Sequence, residues 1–115
     1  MQMITDYTIE LESIEDQLTA HRFNPCLELT LHERNREQTY TISAGYADHI
    51  SVYREGDVIY VLSHNPHLDY VGLEVFQDGN LVTDIFLQGD DVPYIFGGRD
   101  RSPCEMIKRL RDVMA

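Results

Sequence analysis

The sequence predicts an α+β domain built around an antiparallel sheet, and three of its features support this. The chain has 115 residues, the usual length of one domain, so we expect a single domain spanning residues 1–115. Apolar residues make up 43% of it, enough for one core. Runs that alternate apolar and polar residues recur between turn sequences, which is typical of antiparallel strands. We therefore expect a meander of six or seven strands, with a short N-terminal helix and an amphipathic C-terminal helix packed on one face.

The first half of the chain predicts a strand, a short helix and a hairpin. Residues 6–11 alternate in polarity and predict a half-buried strand. Ser13 suits the start of a short helix, which Asn24-Pro25 would end. Residues 26–33 alternate again, and residues 39–43 carry a second apolar face, so these two segments predict a hairpin.

The second half predicts two further hairpins. Residues 50–53 and 58–62 flank a turn that contains Gly56, and the uniformly apolar 58–62 predicts an inner strand. Residues 71–76 and 81–87 flank Asp78-Gly79-Asn80, the strongest hairpin signal in the chain. Residues 94–96 are expected to add a short edge strand.

The last segment predicts an amphipathic helix. Ser102 suits the N-cap, Pro103 the first helical position, and Glu105 completes a capping box. Apolar residues then recur at helical spacing, which predicts a stripe packed on the sheet. This stripe consists of Met106, Ile107, Leu110, Val113 and Met114.

The charge of the chain is strongly negative and unevenly distributed. Twenty Asp and Glu against nine Lys and Arg give a net charge of −11. Residues 55–98 contain eight carboxylates and neither Lys nor Arg. A field of that sign repels nucleic acid and anionic membranes and attracts basic protein surfaces. We therefore expect a basic protein partner, with no direct nucleic-acid binding and no membrane binding.

Targeting signals and cysteines point to the cytoplasm. The acidic, alternating N-terminal stretch is unlike a signal peptide, and no segment approaches the ~20 apolar residues that span a bilayer. The two cysteines, Cys26 and Cys104, are then expected to be thiols in a reducing compartment.

The third hairpin predicts a surface where acids lie beside aromatic rings. A three-residue loop Asp78-Gly79-Asn80 pairs Gln77 with Leu81 and places Glu74 opposite Asp84. Two like charges across a ladder are unfavourable, and acids next to aromatic rings suit the Arg or Lys side chain of a partner. The predicted partner-binding residues are Glu74, Asp84, Phe76, Phe86, Asp78, Asp90, Asp91, Glu55 and Asp57. The alternative is that the C-terminal helix covers this face and that Arg109 or Arg111 neutralises the acids.

Motifs for catalysis, cofactors and metals are weak in this sequence. It contains neither a Gly-x-Ser-x-Gly nor a His-Glu-x-x-His pattern, so we assign no catalytic residue, no cofactor and no metal. His64, His67 and Asp69 form the one short-spaced set with metal-ligand chemistry. Cys104 follows Arg99 and Arg101 at a predicted helix start, which leaves an anion site as a further alternative.

These observations favour a non-enzymatic interaction protein that binds and blocks a basic, nucleic-acid-binding partner by charge mimicry. Anti-CRISPR, anti-restriction and immunity proteins are small acidic inhibitors of this kind, and the comparison rests on size and charge. One alternative is a chaperone-like adaptor, as a homodimer, that binds through an apolar sheet face. Another is a small enzyme or metal protein that uses His64, His67 and Asp69.

Overall fold

The computed structural model describes residues 1–11, 26–33, 36–43 and 47–114, and within these ranges the chain forms eight strands and two α-helices. The strands are β1 (Gln2–Ile4), β2 (Tyr7–Leu11), β3 (Cys26–Glu33), β4 (Arg36–Ser43), β5 (His49–Glu55), β6 (Val58–Asn65), β7 (Tyr70–Gln77) and β8 (Asn80–Gln88). The helices are α1 (Asp91–Phe96) and α2 (Pro103–Met114). This composition confirms the α+β prediction in outline, with more strands than expected. The helix predicted from Ser13 lies outside the described residues.

The strands form two antiparallel sheets and not one meander. The larger sheet has the order β1-β5-β6-β7-β8, and the smaller sheet has the order β2-β3-β4. The smaller sheet packs on one face of the larger, and the two helices pack on the other. Three layers result, with β6 and β7 in the interior of the central layer. Neither described helix combines the length and apolar character that crossing a membrane requires.

Residues 94–96, predicted to be a strand, lie in α1 instead. Val92 and Phe96 are buried four residues apart while Tyr94 is 88% exposed, which is helical and not strand periodicity. Gly97 ends the helix in the left-handed conformation, with φ of 57°. Its N–H donates to the carbonyl of Pro93 at 2.6 Å. The short apolar run therefore follows the period of a helix, which its three residues could not reveal.

Helix α2 closes one face of the central sheet. It begins at Pro103 as predicted, and Met106, Ile107 and Leu110 are buried against side chains from β5, β6 and β7. Val113, predicted to belong to the same stripe, is 49% exposed. Met114 in the last turn is partly buried against the same core, so the helix stays on the sheet to its end and Val113 is the predicted stripe residue that faces outward.

The three-stranded sheet covers the opposite face. Its contact residues Leu29, Leu31, Tyr40 and Ile42 pack against Val52, Ile59, Val61 and Phe76. The ring of Tyr40 lies on that of Phe76, with 4.8 Å between the centroids. Because α2 and the small sheet cover opposite faces, all residues of β7 from Tyr70 to Phe76 are buried. Burial on both faces explains why β6 and β7 are almost continuously apolar.

The β7–β8 hairpin has a two-residue loop and not the predicted three. Gln77 pairs with Asn80, and one extra residue in β8, Val82, forms a bulge that shifts the register by one. Beyond the bulge the predicted pairing holds, with Glu74 opposite Asp84. The predicted pairing of Gln77 with Leu81 is wrong, because Asp78 and Gly79 alone make the turn.

We expect Leu110→Ala to lower the free energy of unfolding by about 2–5 kcal/mol, because the Leu110 side chain is completely buried between α2 and the central sheet. Val113→Ala is the matched control on the same helix, where a half-exposed side chain should cost well under half as much. Chemical denaturation of both variants measures the difference. Equal losses would show that α2 does not pack on the sheet through this face.

Candidate functional site

Two of the predicted partner-binding residues are buried and cannot meet a partner. Glu74 and Phe76 are each only 3% exposed. The three-stranded sheet covers them, with Tyr40 on Phe76 and the backbone N–H of Ser43 donating to Glu74 Oε1 at 2.9 Å. The prediction that this face is open is therefore wrong. The alternative was also wrong about the cover, which is β4 and not the C-terminal helix.

Glu74 is a buried carboxyl group with one backbone donor. Its pKa is raised from 4.5 to about 7, mainly by burial. The Ser43 hydrogen bond works in the opposite direction, and the charge of Asp84 across the ladder adds a smaller increase. The arginines expected to neutralise this pair bind elsewhere. Arg109 donates to the carbonyl of Ile95 at 3.0 Å, and Arg111 donates to Glu55 Oε2 at 3.2 Å. Near neutral pH, Glu74 is therefore poised between its protonated and charged forms.

The other predicted acids fall at opposite ends of the central sheet. The turns after β5 and β7 lie at one end, and the connections after β6 and β8 lie at the other. Glu55, Asp57 and Asp78 belong to the first end, and Asp90 and Asp91 to the second. The structure does not gather the predicted residues into one patch, because successive hairpin connections alternate between the ends of an antiparallel sheet.

Asp84 and Phe86 lie apart from both groups, on β8 at the side edge of the sheet. Asp84 is exposed, and Phe86 is 39% exposed. This edge is a separate surface from the turns that carry Asp57 and Asp78.

A cleft opens at the end that holds Asp57 and Asp78. It has a volume of about 280 Å³ and lies between the two hairpin turns and strand β4. Its lining residues are Gln38, Tyr40, Arg54, Asp57, Ile59, Asp78 and Gly79. Tyr40 and Ile59 are buried behind it, so the accessible lining of the cleft is mostly polar, and both aspartates are exposed at the rim.

Turn chemistry places the two aspartates at the rim. Asp78 and Gly79 have φ of 53° and 81°, and positive φ at both loop positions is what an Asp-Gly hairpin turn favours. Gly56, with φ of 60°, occupies the first loop position of the neighbouring turn and leaves Asp57 at the second. A Cβ on Gly79 would lie 3.2 Å from Gln38 Nε2, so the small sheet approaches the turn closely.

Ion pairs neutralise much of the remaining charge around the cleft. Arg54, the cation of the lining, pairs with Glu33 on β3. Glu55 pairs with Arg111, whose guanidinium also lies 5.8 Å from the ring centroid of Tyr60. The cleft therefore keeps a net negative charge from Asp57 and Asp78.

Sequence reasoning named the two aspartates but missed Gln38, Tyr40 and Arg54 in the cleft. The alternation along β4 placed Tyr40 on an apolar face, and nothing in that pattern indicated which other strand the face would meet. Only the packing of one sheet on the other brings Gln38 next to Gly79.

The residues named for a metal site or an anion site make other contacts in the structure. The ring of His64 is tilted against that of His49, with 6.4 Å between ring centroids. Burial is the main cause that lowers the pKa of His64, and His49 and Arg101 lower it further. Across the described ranges, no three His, Cys, Asp or Glu side chains come together as a metal site would require. Arg101 lies 3.9 Å from the Asp69 carboxylate and over the ring of Phe96.

Comparison with known proteins gives no relative for this arrangement. No protein-family model, curated protein or solved structure matches the chain. The chemistry of the candidate site must therefore be read from its own residues. Two exposed carboxylates in a polar cleft can bind a cationic group through charge-assisted hydrogen bonds.

We expect the stability of the chain to fall as pH rises from 4.5 to 7, because folded Glu74 keeps a proton that the unfolded chain releases. A pKa of about 7 against 4.5 corresponds to about 3 kcal/mol, which is lost above pH 7 and present below 4.5. Glu74→Gln should remove this pH-dependent contribution. The free energy of unfolding of the variant, relative to that of the wild type, should therefore increase with pH in denaturation experiments.

Asp57→Asn provides the control, because it removes an exposed carboxylate and should follow the wild-type profile. Parallel pH profiles for the wild type and Glu74→Gln would show that the carboxyl group is not held protonated in the fold.

Proposed function

We propose that the chain is a non-enzymatic interaction protein whose acidic cleft binds an Arg or Lys side chain on a basic, nucleic-acid-binding partner and blocks it. The observation that carries this proposal is the pair of exposed carboxylates, Asp57 and Asp78, at the rim of a cleft with a mostly polar lining. A basic side chain has the matching charge and the hydrogen-bond donors for such a site.

The size and charge of the cleft support an arginine side chain in particular. Its volume of about 280 Å³ exceeds that of one arginine side chain. Guanidinium is planar and has five donors, so it can reach two carboxylates on different turns at once, as well as the Gln38 side chain.

The overall charge supports a partner whose basic surface serves nucleic acid. Basic surfaces in cells are concentrated where proteins contact phosphates. A chain of net charge −11 is drawn to such a surface, and its carboxylates would take positions that phosphates otherwise occupy. Binding of this kind would exclude nucleic acid from the partner and would require no catalytic residue in this chain.

The adaptor alternative has less support from the packing. Its binding surface was an open apolar sheet face, and the small sheet and α2 cover the two faces of β6 and β7. The cleft at the turns therefore carries the proposal.

We expect the double variant Asp57→Asn with Asp78→Asn to bind its partner roughly tenfold more weakly, since each exposed charge pair contributes up to about 1 kcal/mol. Asparagine tolerates the left-handed conformation of residue 78, so the turn should be kept. The partner is first captured at low salt, and its affinity for each variant is then measured by calorimetry over a range of salt concentrations.

Asp90→Asn with Asp91→Asn is the matched control, because it removes the same charge from the opposite end of the sheet. Equal weakening by both double variants would show that net charge and not the cleft governs binding. An affinity that does not change with salt would contradict charge mimicry. Nucleic acid that binds the partner undisturbed in the presence of this chain would contradict the blocking role.

A further inference from the structure

Strand β8 is a long edge strand of the central sheet. It spans nine residues, Asn80–Gln88, and within the described part of the chain it pairs with β7 alone. Edge strands are usually kept from pairing with other chains by Lys, Pro, short length or bulges. β8 contains neither Lys nor Pro, and its exposed side chains include the apolar Leu81, Val82 and Phe86. The other edge strand of this sheet, β1, has only three residues.

The bulge in β8 protects one half of the strand and leaves the other regular. The extra residue, Val82, interrupts the ladder near the turn. From Thr83 to Gln88 each residue pairs in sequence with β7. The regular segment is therefore six residues long and has Ile85 and Phe86 at its centre.

We propose that the chain forms a homodimer in which β8 pairs antiparallel with β8 of a second copy, about a two-fold axis at Phe86. Two five-stranded sheets would then join into one continuous sheet of ten strands. A two-fold contact requires a surface that complements itself. In an antiparallel pair centred on Phe86, residues at equal distances on either side of it face each other.

The chemistry of β8 is self-complementary in this register. Ile85 lies opposite Leu87 of the second copy. Two such aliphatic pairs form, one on each side of the axis, and both lie on the face of the sheet that the helices cover. Asp84 meets Gln88 of the second copy, so the one charge of the strand faces a neutral hydrogen-bond donor. A pair centred on Asp84 would use the full strand but would place two carboxylates opposite each other, which is unfavourable.

The ring of Phe86 leans toward β7 and away from the open edge. Gly72 faces Phe86 on β7, and a Cβ at that position would lie 2.5 Å from Phe86 Cδ1. The ring, 39% exposed, therefore lies over β7 and stacks near Tyr70, with 6.4 Å between the centroids. It does not block the outer side of β8, where the backbone of a second copy would pair.

Salt separates this contact from binding at the acidic cleft. Each copy carries a net charge of −11, so the two copies repel each other, and added salt should strengthen the dimer. Binding of a basic partner weakens with salt instead. The paired segment lies at the end of β8 away from the turn that carries Asp78, so the two contacts use separate surfaces.

Sedimentation velocity of the whole chain over a range of protein and salt concentrations tests the dimer. We expect dimer for the wild type, increasing with salt, and monomer for Phe86→Glu, which places two carboxylates at the axis. Val82→Glu is the matched control on the same strand, outside the paired segment, and should remain dimeric. Circular dichroism checks that each variant is folded.

A cysteine at the axis tests the register independently of any loss of binding. Residues opposite each other in an antiparallel pair have Cα atoms about 4.5–5.5 Å apart, within reach of a disulfide. With Cys26 and Cys104 replaced by serine, Phe86→Cys should form a disulfide-linked dimer under mild oxidation, and Val82→Cys should not. A wild type that stays monomeric at the highest soluble concentration and salt, or equal cross-linking of both cysteine variants, would overturn the proposal.

Discussion

The packing of the three-stranded sheet on β6 and β7 is the contact on which the rest of the structure depends. Tyr40 against Phe76 and the aliphatic residues around them bury the face that α2 leaves open. Without that layer, β7 would expose Glu74 and Phe76, and the cleft would lose Gln38 and Tyr40 from its walls. The same contact thus builds the second core, encloses an acid and forms the candidate site.

Enclosing Glu74 has an electrostatic consequence for the whole fold. A carboxyl group 3% exposed, with one backbone donor and a second acid across the ladder, favours its neutral form. The layer that covers it is therefore held more firmly when the group is protonated. The guanidinium of Arg111 on α2 acts at another place in the fold, where it donates hydrogen bonds to Glu55 and Tyr60.

Two surfaces with different physics lie on the same sheet. The cleft at the β5–β6 and β7–β8 turns carries two exposed acids, Asp57 and Asp78, around a mostly polar lining. The β8 edge carries one acid among nine residues and offers backbone groups and apolar side chains. Binding at the first surface would weaken with salt, and pairing at the second would strengthen. A dimer would therefore present two acidic clefts to a basic partner.

The sequence by itself determined the local structure: the alternating strands, the helix that begins at Pro103, a hairpin turn around Gly79 and the excess of negative charge. These features follow from neighbouring residues, whose spacing and turn chemistry act within a few positions. The tertiary structure alone decided that the strands divide into two sheets, that Glu74 is buried and that Tyr40 lies at a cleft beside Asp78. Each of those outcomes depends on which apolar faces meet, because an alternating strand shows that one of its faces is buried but not what buries it.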